Sequence, residues 1–196
     1  MRHLLLLSLC SLLPAETLTQ GERERAVGHM QATRKLFLDS VAGVTPEQWM
    51  WKPAPEVWSI AEVAEHIAIY EDTVFEHITK RVLGNPADPS KKGGAEEKDA
   101  KLLTKVVDRS HKVQTAEGLR PAHRWKTKEE LIAHFNESRD RNIKFVETTQ
   151  EDLRSHFSPH PLGSLDAYQW LLLISGHLER HTLQINEVKA TPGFPK

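Results

Sequence analysis

The sequence predicts an all-α protein built as a four-helix bundle. Four long stretches place apolar residues three and four positions apart, the spacing that puts them on one face of a helix. Starting and stopping residues punctuate these stretches, including serine or threonine followed three positions later by glutamate. No segment sustains the two-residue alternation of Val, Ile, Thr and aromatic residues expected of a strand.

The first helix is expected over about Glu22–Ala42, with Val27, Met30, Leu36, Leu38 and Val41 among charges and Gly43 and Thr45-Pro46 at its end. Pro46-Glu47-Gln48-Trp49 reads as a short turn or helix. The second helix opens at Ser59, which forms a capping box with Glu62. Ile60, Val63, Ile67, Tyr70, Val74 and Ile78 follow at helical spacing until Gly84-Asn85-Pro86. Residues 85–126 begin as a loop with Pro86, Pro89 and Gly93-Gly94, and a short helix is expected around Lys101–Val113. The third helix opens at Thr127, with Glu130 completing another capping box, and Leu131, Phe135, Phe145 and Val146 supply its inner face. A linker over about Ser155–Gly163 leads to the fourth helix, which runs from near Ser164 to about Lys189, before Thr191-Pro192-Gly193. Amphipathic helices of this length bury one another best as a bundle. The long middle segment allows consecutive helices to be other than simple up-and-down neighbours.

Residues 1–20 read as a secretory signal peptide: Met1-Arg2-His3, an apolar run of about ten residues, then Pro14-Ala15-Glu16. That run is too short to span a bilayer, which takes roughly 20 residues. Residues 21–196 then form one domain of a size that supports a real core, expected to be exported to the periplasm or medium; without a genuine signal it would be cytoplasmic. The chain carries 26 Lys plus Arg against 27 Asp plus Glu, so it offers no strong field for gripping nucleic acid. Its one cysteine, Cys10, lies within the signal segment, leaving the mature part without disulfide or thiol chemistry of its own.

The fourth helix carries the chemistry. Trp170, Ile174, His177, His181, Gln184 and Val188 step by four and three, the pattern of an inward seam. Two histidines therefore occupy positions that leucine would normally take. Residues four apart on a helix have Cβ atoms about 6 Å apart, close enough for two imidazoles to chelate one ion at roughly 2.0–2.1 Å. The alternative is two buried, neutral, hydrogen-bonded histidines, but an unpartnered buried polar ring costs about 1–3 kcal/mol. A third ligand must come from another helix. His66, between Glu65 and Ile67 on the second helix, is the best candidate. Glu65 and Glu179 neighbour these histidines but point elsewhere on their helices. His29, His77, His111, His123, His134 and His156 share no spacing and read as surface or boundary residues. His160 precedes the fourth helix, Tyr70 lies one turn beyond His66, and Ser138 and Asn142 are polar positions on the third helix; packing or solvation accounts for all four.

Trp58-Ser59-Ile60-Ala61-Glu62-Val63-Ala64-Glu65-His66-Ile67 resembles the first metal-ligand motif of the DinB/YfiT-like superfamily, and Ser175-Gly176-His177-Leu178-Glu179-Arg180-His181-Thr182-Leu183-Gln184-Ile185 resembles the second. The resemblance covers about residues 22–195, with a poor match over 85–126. It implies a four-helix bundle with one divalent ion, nickel or zinc, held by His66, His177 and His181. Three protein ligands leave a coordination position for water or a small-molecule substrate. The resemblance implies metal-dependent hydrolysis or thiol-dependent transfer or isomerisation, and admits a homodimer. Small thiols are scarce outside the cytosol, so an export signal favours hydrolysis; a metal-binding protein without turnover is the third reading. N-terminal mass analysis of protein from the native host is expected to give a chain beginning near residues 16–21, and an intact Met1 would overturn the export reading.

Overall fold

The computed structural model describes residues 17–111 and 113–196, so most of the expected signal segment lies outside the described residues. Thr19 opens helix α1 (Gln20–Val41), its hydroxyl accepting from the Glu22 amide while the Glu22 carboxylate accepts from the Thr19 amide. Ala26, Met30, Thr33, Phe37 and Val41 form its buried face. Leu36, expected on that face, is half exposed. The large Phe37 ring sets the helix phase by packing edge-on against Phe135, 4.8 Å between centroids.

Pro46–Met50 forms the short helix α2, with Thr45 as its cap and Trp49 buried. Helix α3 (Ile60–His77) opens at the expected Ser59–Glu62 box and continues into a wider π-helical turn at Ile78–Val82. In the middle segment a helix does form, but earlier than expected: α4 covers Ala95–Val107. Its inward residues Asp99, Leu102 and Val106 are three and four apart. Apolar spacing alone missed its first turns because the inward residue there is an aspartate. Helix α5 (Lys128–Thr148) starts at the Thr127 cap, whose hydroxyl accepts from the Glu130 amide, but the expected box stays half formed because the Glu130 carboxylate accepts from the Lys126 amide instead of the Thr127 amide.

The expected linker contains a small antiparallel hairpin, β1 (Phe157–His160) with β2 (Gly163–Asp166). Four-residue strands are too short for alternation to show, and Pro159 is tolerated because both strands of a two-stranded ribbon are edges. Helix α6 (Ala167–Ala190) begins just past the hairpin, three residues later than the expected opening near Ser164, with Asp166 as its cap. The Asp166 carboxylate accepts from the Gln169 amide at 2.7 Å.

The principal helix contacts run α1–α6, α6–α3, α3–α5 and α5–α1, a closed ring of four. Consecutive long helices α1 and α3, and likewise α5 and α6, therefore face each other across a diagonal. Helix α4 lies outside the ring against α6. Gly176 lets it approach: a Cβ there would meet Val106 Cγ1 at 3.1 Å and Leu103 Cδ2 at 3.3 Å. Arg154 ties the helix starts together, donating to Asp99 (2.7 Å), Asp166 (3.0 Å) and Glu22 (2.8 Å) above the Tyr168 ring.

A polar layer divides the bundle core into two apolar clusters. It consists of Thr33 on α1, Glu71 on α3, Ser138, Arg139 and Asn142 on α5 and Ser175 on α6, all buried. The Arg139 guanidinium donates to the Glu71 carboxylate, and Asn142 Nδ2 donates to its other oxygen at 2.8 Å. Burial pushes the Glu71 carboxyl up and the Arg139 guanidinium down, while their mutual attraction opposes both shifts. Replacing Arg139 by Met leaves a buried carboxylate without its cation, and urea unfolding is expected to show a loss of about 3–5 kcal/mol. Adding Glu71→Leu to Arg139→Met is expected to restore most of that loss; a double variant no more stable than the single would contradict it.

Candidate metal centre

The three histidines meet at the α3–α6 edge, on one side of the polar layer. The Ser59 cap fixes the start of α3, and Ile60, Val63 and Ile67 bury its inner face. His66, nearly two turns in, is only 3% exposed. On α6 the predicted seam faces inward: Trp170, Ile174, His181 and Val188 are buried, and His177 and Gln184 are partly buried. Ring centroids are 4.3 Å apart for His177 and His181, 4.6 Å for His66 and His181, and 4.8 Å for His66 and His177. One ring nitrogen from each lies within 4.8 Å of the others, and His66 Nε2 is 3.0 Å from His177 Nε2.

Two of the rings have their tautomers set by carbonyl oxygens, which can only accept. His66 Nδ1 donates to the backbone carbonyl of Leu119 at 2.7 Å. His181 Nδ1 donates to the Gln184 side-chain oxygen, also at 2.7 Å. Each ring therefore presents an unprotonated Nε2, the arrangement found around metal-bound imidazoles. Tyr70 stacks flat on His177, 3.5 Å between centroids and 7° from parallel, and the Trp58 ring lies 5.2 Å from that of His66.

Burial lowers the pKa of all three. It takes His177 well below the usual imidazole range, with His181 and His66 pushing it further, and takes His181 down to about 3. At neutral pH the three rings are uncharged and keep their lone pairs. Two nitrogens each roughly 2.0–2.1 Å from one ion sit about 3 Å apart when their bonds are nearly perpendicular. The His66–His177 spacing has this value, and the three imidazoles together could hold a metal ion.

The segment between α4 and α5 covers this edge. Arg180, next to His181, donates to the backbone carbonyls of Val106 (3.3 Å), His111 (2.8 Å) and Asp108. Glu65, next to His66, accepts from the amides of Ala122, His123 and Arg124 at 2.9–3.0 Å. Leu119, whose carbonyl meets His66, lies in a single 3₁₀ turn, Glu117–Leu119, between these two anchors. Sequence reading could not find Leu119, because a backbone carbonyl leaves no mark on residue choice. As expected, Glu65 and Glu179 point away from the imidazole cluster; Glu179 pairs with His29 at 3.6 Å.

The remaining histidines stay apart from the cluster. His134 pairs with Asp72 (2.7 Å), His77 reaches Ser158 (3.2 Å) and His156 meets the Asn85 carbonyl (2.7 Å). His160 stands edge-on to Trp170, 5.1 Å between centroids. Ser138 and Asn142 face inward, into the polar layer rather than the imidazole cluster.

The sequence model of the DinB superfamily matches residues 29–185, a range that contains all three histidines and the segment covering them. The chain belongs to the DinB superfamily. It is similar to the uncharacterized protein YuaE of Bacillus subtilis (strain 168), with 26% identity over 152 residues that cover 77% of this chain and 89% of that protein. None of the solved structures matches the chain.

In this DinB-superfamily protein the neutral rings tie stability to pH. An unfolded histidine takes up a proton near pH 6.5, whereas the buried rings do so only at lower pH. The unfolded chain therefore binds more protons below about pH 6.5, and stability falls as pH drops through that value. Each such ring contributes about 1.4 kcal/mol per pH unit in that window. Urea unfolding of chelator-treated protein between pH 5.5 and 7.5 is expected to show this slope, reduced in His181→Gln; equal slopes in both proteins would refute it.

Proposed function

We propose that this DinB-superfamily protein binds one divalent ion, nickel or zinc, through His66, His177 and His181, and is a metal-dependent hydrolase of a small-molecule substrate. The observation that supports the reading is the convergence of three neutral imidazoles, two with their Nδ1–H committed to carbonyl oxygens. Leu119 and Gln184 orient the rings of His66 and His181, and Tyr70 forms one wall against His177. When bound, the ion supplies Lewis-acid polarisation and activates a nucleophile at neutral pH. Three protein donors leave a position for substrate, the arrangement of catalytic rather than structural sites.

Among the described residues no acidic general base stands out: Glu65 and Glu179 are engaged elsewhere. In the proposed reaction the proton of the nucleophile therefore passes to solvent or to the leaving group. Export favours hydrolysis over thiol-dependent transfer. Leu18 packs into the core at 5% exposure and Thr19 caps α1, so a cleavage compatible with this fold leaves both residues in place.

Elemental analysis of purified protein is expected to give about one nickel or zinc per chain and much less in His177→Ala; full occupancy in that variant would remove the assignment. Metal-dependent turnover is expected on a panel of esters, amides and lactams. A silent panel together with thiol-dependent conjugation would replace hydrolysis by transfer, and silence in both would leave a binding protein.

A further inference from the structure

Among the described residues no cation pairs with the carboxylate of Glu65. It is 4% exposed and is surrounded by three consecutive backbone amides, Ala122 N at 2.9 Å, His123 N at 3.0 Å and Arg124 N at 2.9 Å. Successive amides converge on an anion in this way only where the backbone curls through the left-handed region. His123 does so with φ 58°, which makes it the one non-glycine residue of positive φ among those described. A histidine held in that conformation carries a local cost, and persists because the surroundings determine it. The three charge-assisted hydrogen bonds to Glu65 provide that determination. The nest is thus filled by the chain's own carboxylate, which stands immediately before His66 on α3.

The nest is linked to His66 a second time. Leu119, whose carbonyl takes the His66 Nδ1 proton, is separated from Ala122 only by Arg120 and Pro121. Pro121 has no N–H to offer and fixes its own φ, which stiffens the link between nest and carbonyl. The loop is therefore gripped by adjacent residues of one helix, at the amides by Glu65 and at a carbonyl by His66.

We propose that Glu65 is a positioning residue for the metal centre: by anchoring the amides of residues 122–124 it places the Leu119 carbonyl on His66 and so keeps His66 Nε2 unprotonated and aimed at the ion. The inference rests on the metal-binding reading for its consequence, though the Glu65–loop–His66 linkage is testable without any ion. Partners that orient a metal-binding imidazole characteristically contribute about 10–100-fold in affinity.

The test uses the full chain with Glu65→Gln, which keeps the side-chain shape but turns an NH2 toward a backbone donor, and Pro121→Gly, which loosens the link while leaving Glu65 and His66 unchanged. In chelator-treated protein, the His66 tautomer is read from long-range ¹⁵N–¹H spectra and the exchange of the 122–124 amides is followed. Zn²⁺ affinity is then measured by chelator competition. The wild type is expected to show His66 protonated at Nδ1. Glu65→Gln is expected to exchange those amides at least about tenfold faster, to lose the single tautomer and to bind Zn²⁺ about 10–100-fold more weakly. Pro121→Gly is expected to shift the tautomer and affinity in the same direction by a smaller factor. If both variants keep the wild-type tautomer and affinity, the proposal is overturned; if Glu65→Gln does not fold, Pro121→Gly decides alone. If the wild type binds no Zn²⁺, the metal reading fails, and the tautomer and exchange measurements still decide whether Glu65 positions His66.

Discussion

Taking imidazole rings out of water costs free energy unless each ring nitrogen is given something to do, and this protein buries His66 and His181, and partly buries His177, at a single α3–α6 edge. At about 1–3 kcal/mol for each unpartnered polar group, three rings could consume a large share of the 5–15 kcal/mol by which a domain is stable. The surroundings of the site meet that cost one ring at a time. Leu119 accepts from His66, Gln184 accepts from His181, and the Tyr70 ring stacks on His177. The nitrogens that remain point toward one another, His66 Nε2 lying 3.0 Å from His177 Nε2, and the three together could hold a metal ion.

Seen from that edge, several otherwise unrelated features have a common purpose. The segment between α4 and α5 delivers a carbonyl to His66, and charged neighbours of the histidines hold it there: Arg180 by carbonyls, Glu65 by amides. Gly176, beside His177, lets α4 lie close enough for the segment to begin in the right place. The polar layer centred on Arg139 and Glu71 lies about one helical turn beyond the site and aligns α3 with α5 and α6. Its rigidity matters because a cluster of converging side chains tolerates only small errors in the position of the helices that carry it.

Much of the fold was legible in the sequence because its signals are local. The Ser59–Glu62 and Thr127–Glu130 pairs mark helix starts through contacts three residues apart, and both caps stand where the sequence puts them. The seam from Trp170 to Val188 was readable because helical periodicity depends only on spacing. Elements that depend on distant partners were harder to see. Helix α4 buries Asp99 against Arg154, 55 residues away in sequence, so its first turns lack the apolar pattern. Leu36 and Phe37 compete for the inner face of α1, and the packing of Phe37 on Phe135 decides between them. The β1–β2 hairpin is too brief to alternate visibly.

By itself the sequence determined an all-helical bundle, a seam with two histidines four residues apart, and family motifs that nominate His66 as the third. Those conclusions rest on helix geometry and residue type, which act over a few positions. Only the tertiary structure decided that His66 comes within 3.0 Å of His177, that α1 and α3 lie across a diagonal, and that the least regular part of the sequence covers the site. It also decided the roles of Glu65 and Leu119. One acts on backbone amides and the other through a backbone carbonyl, and main-chain groups are the same at every position until the fold chooses which of them meet.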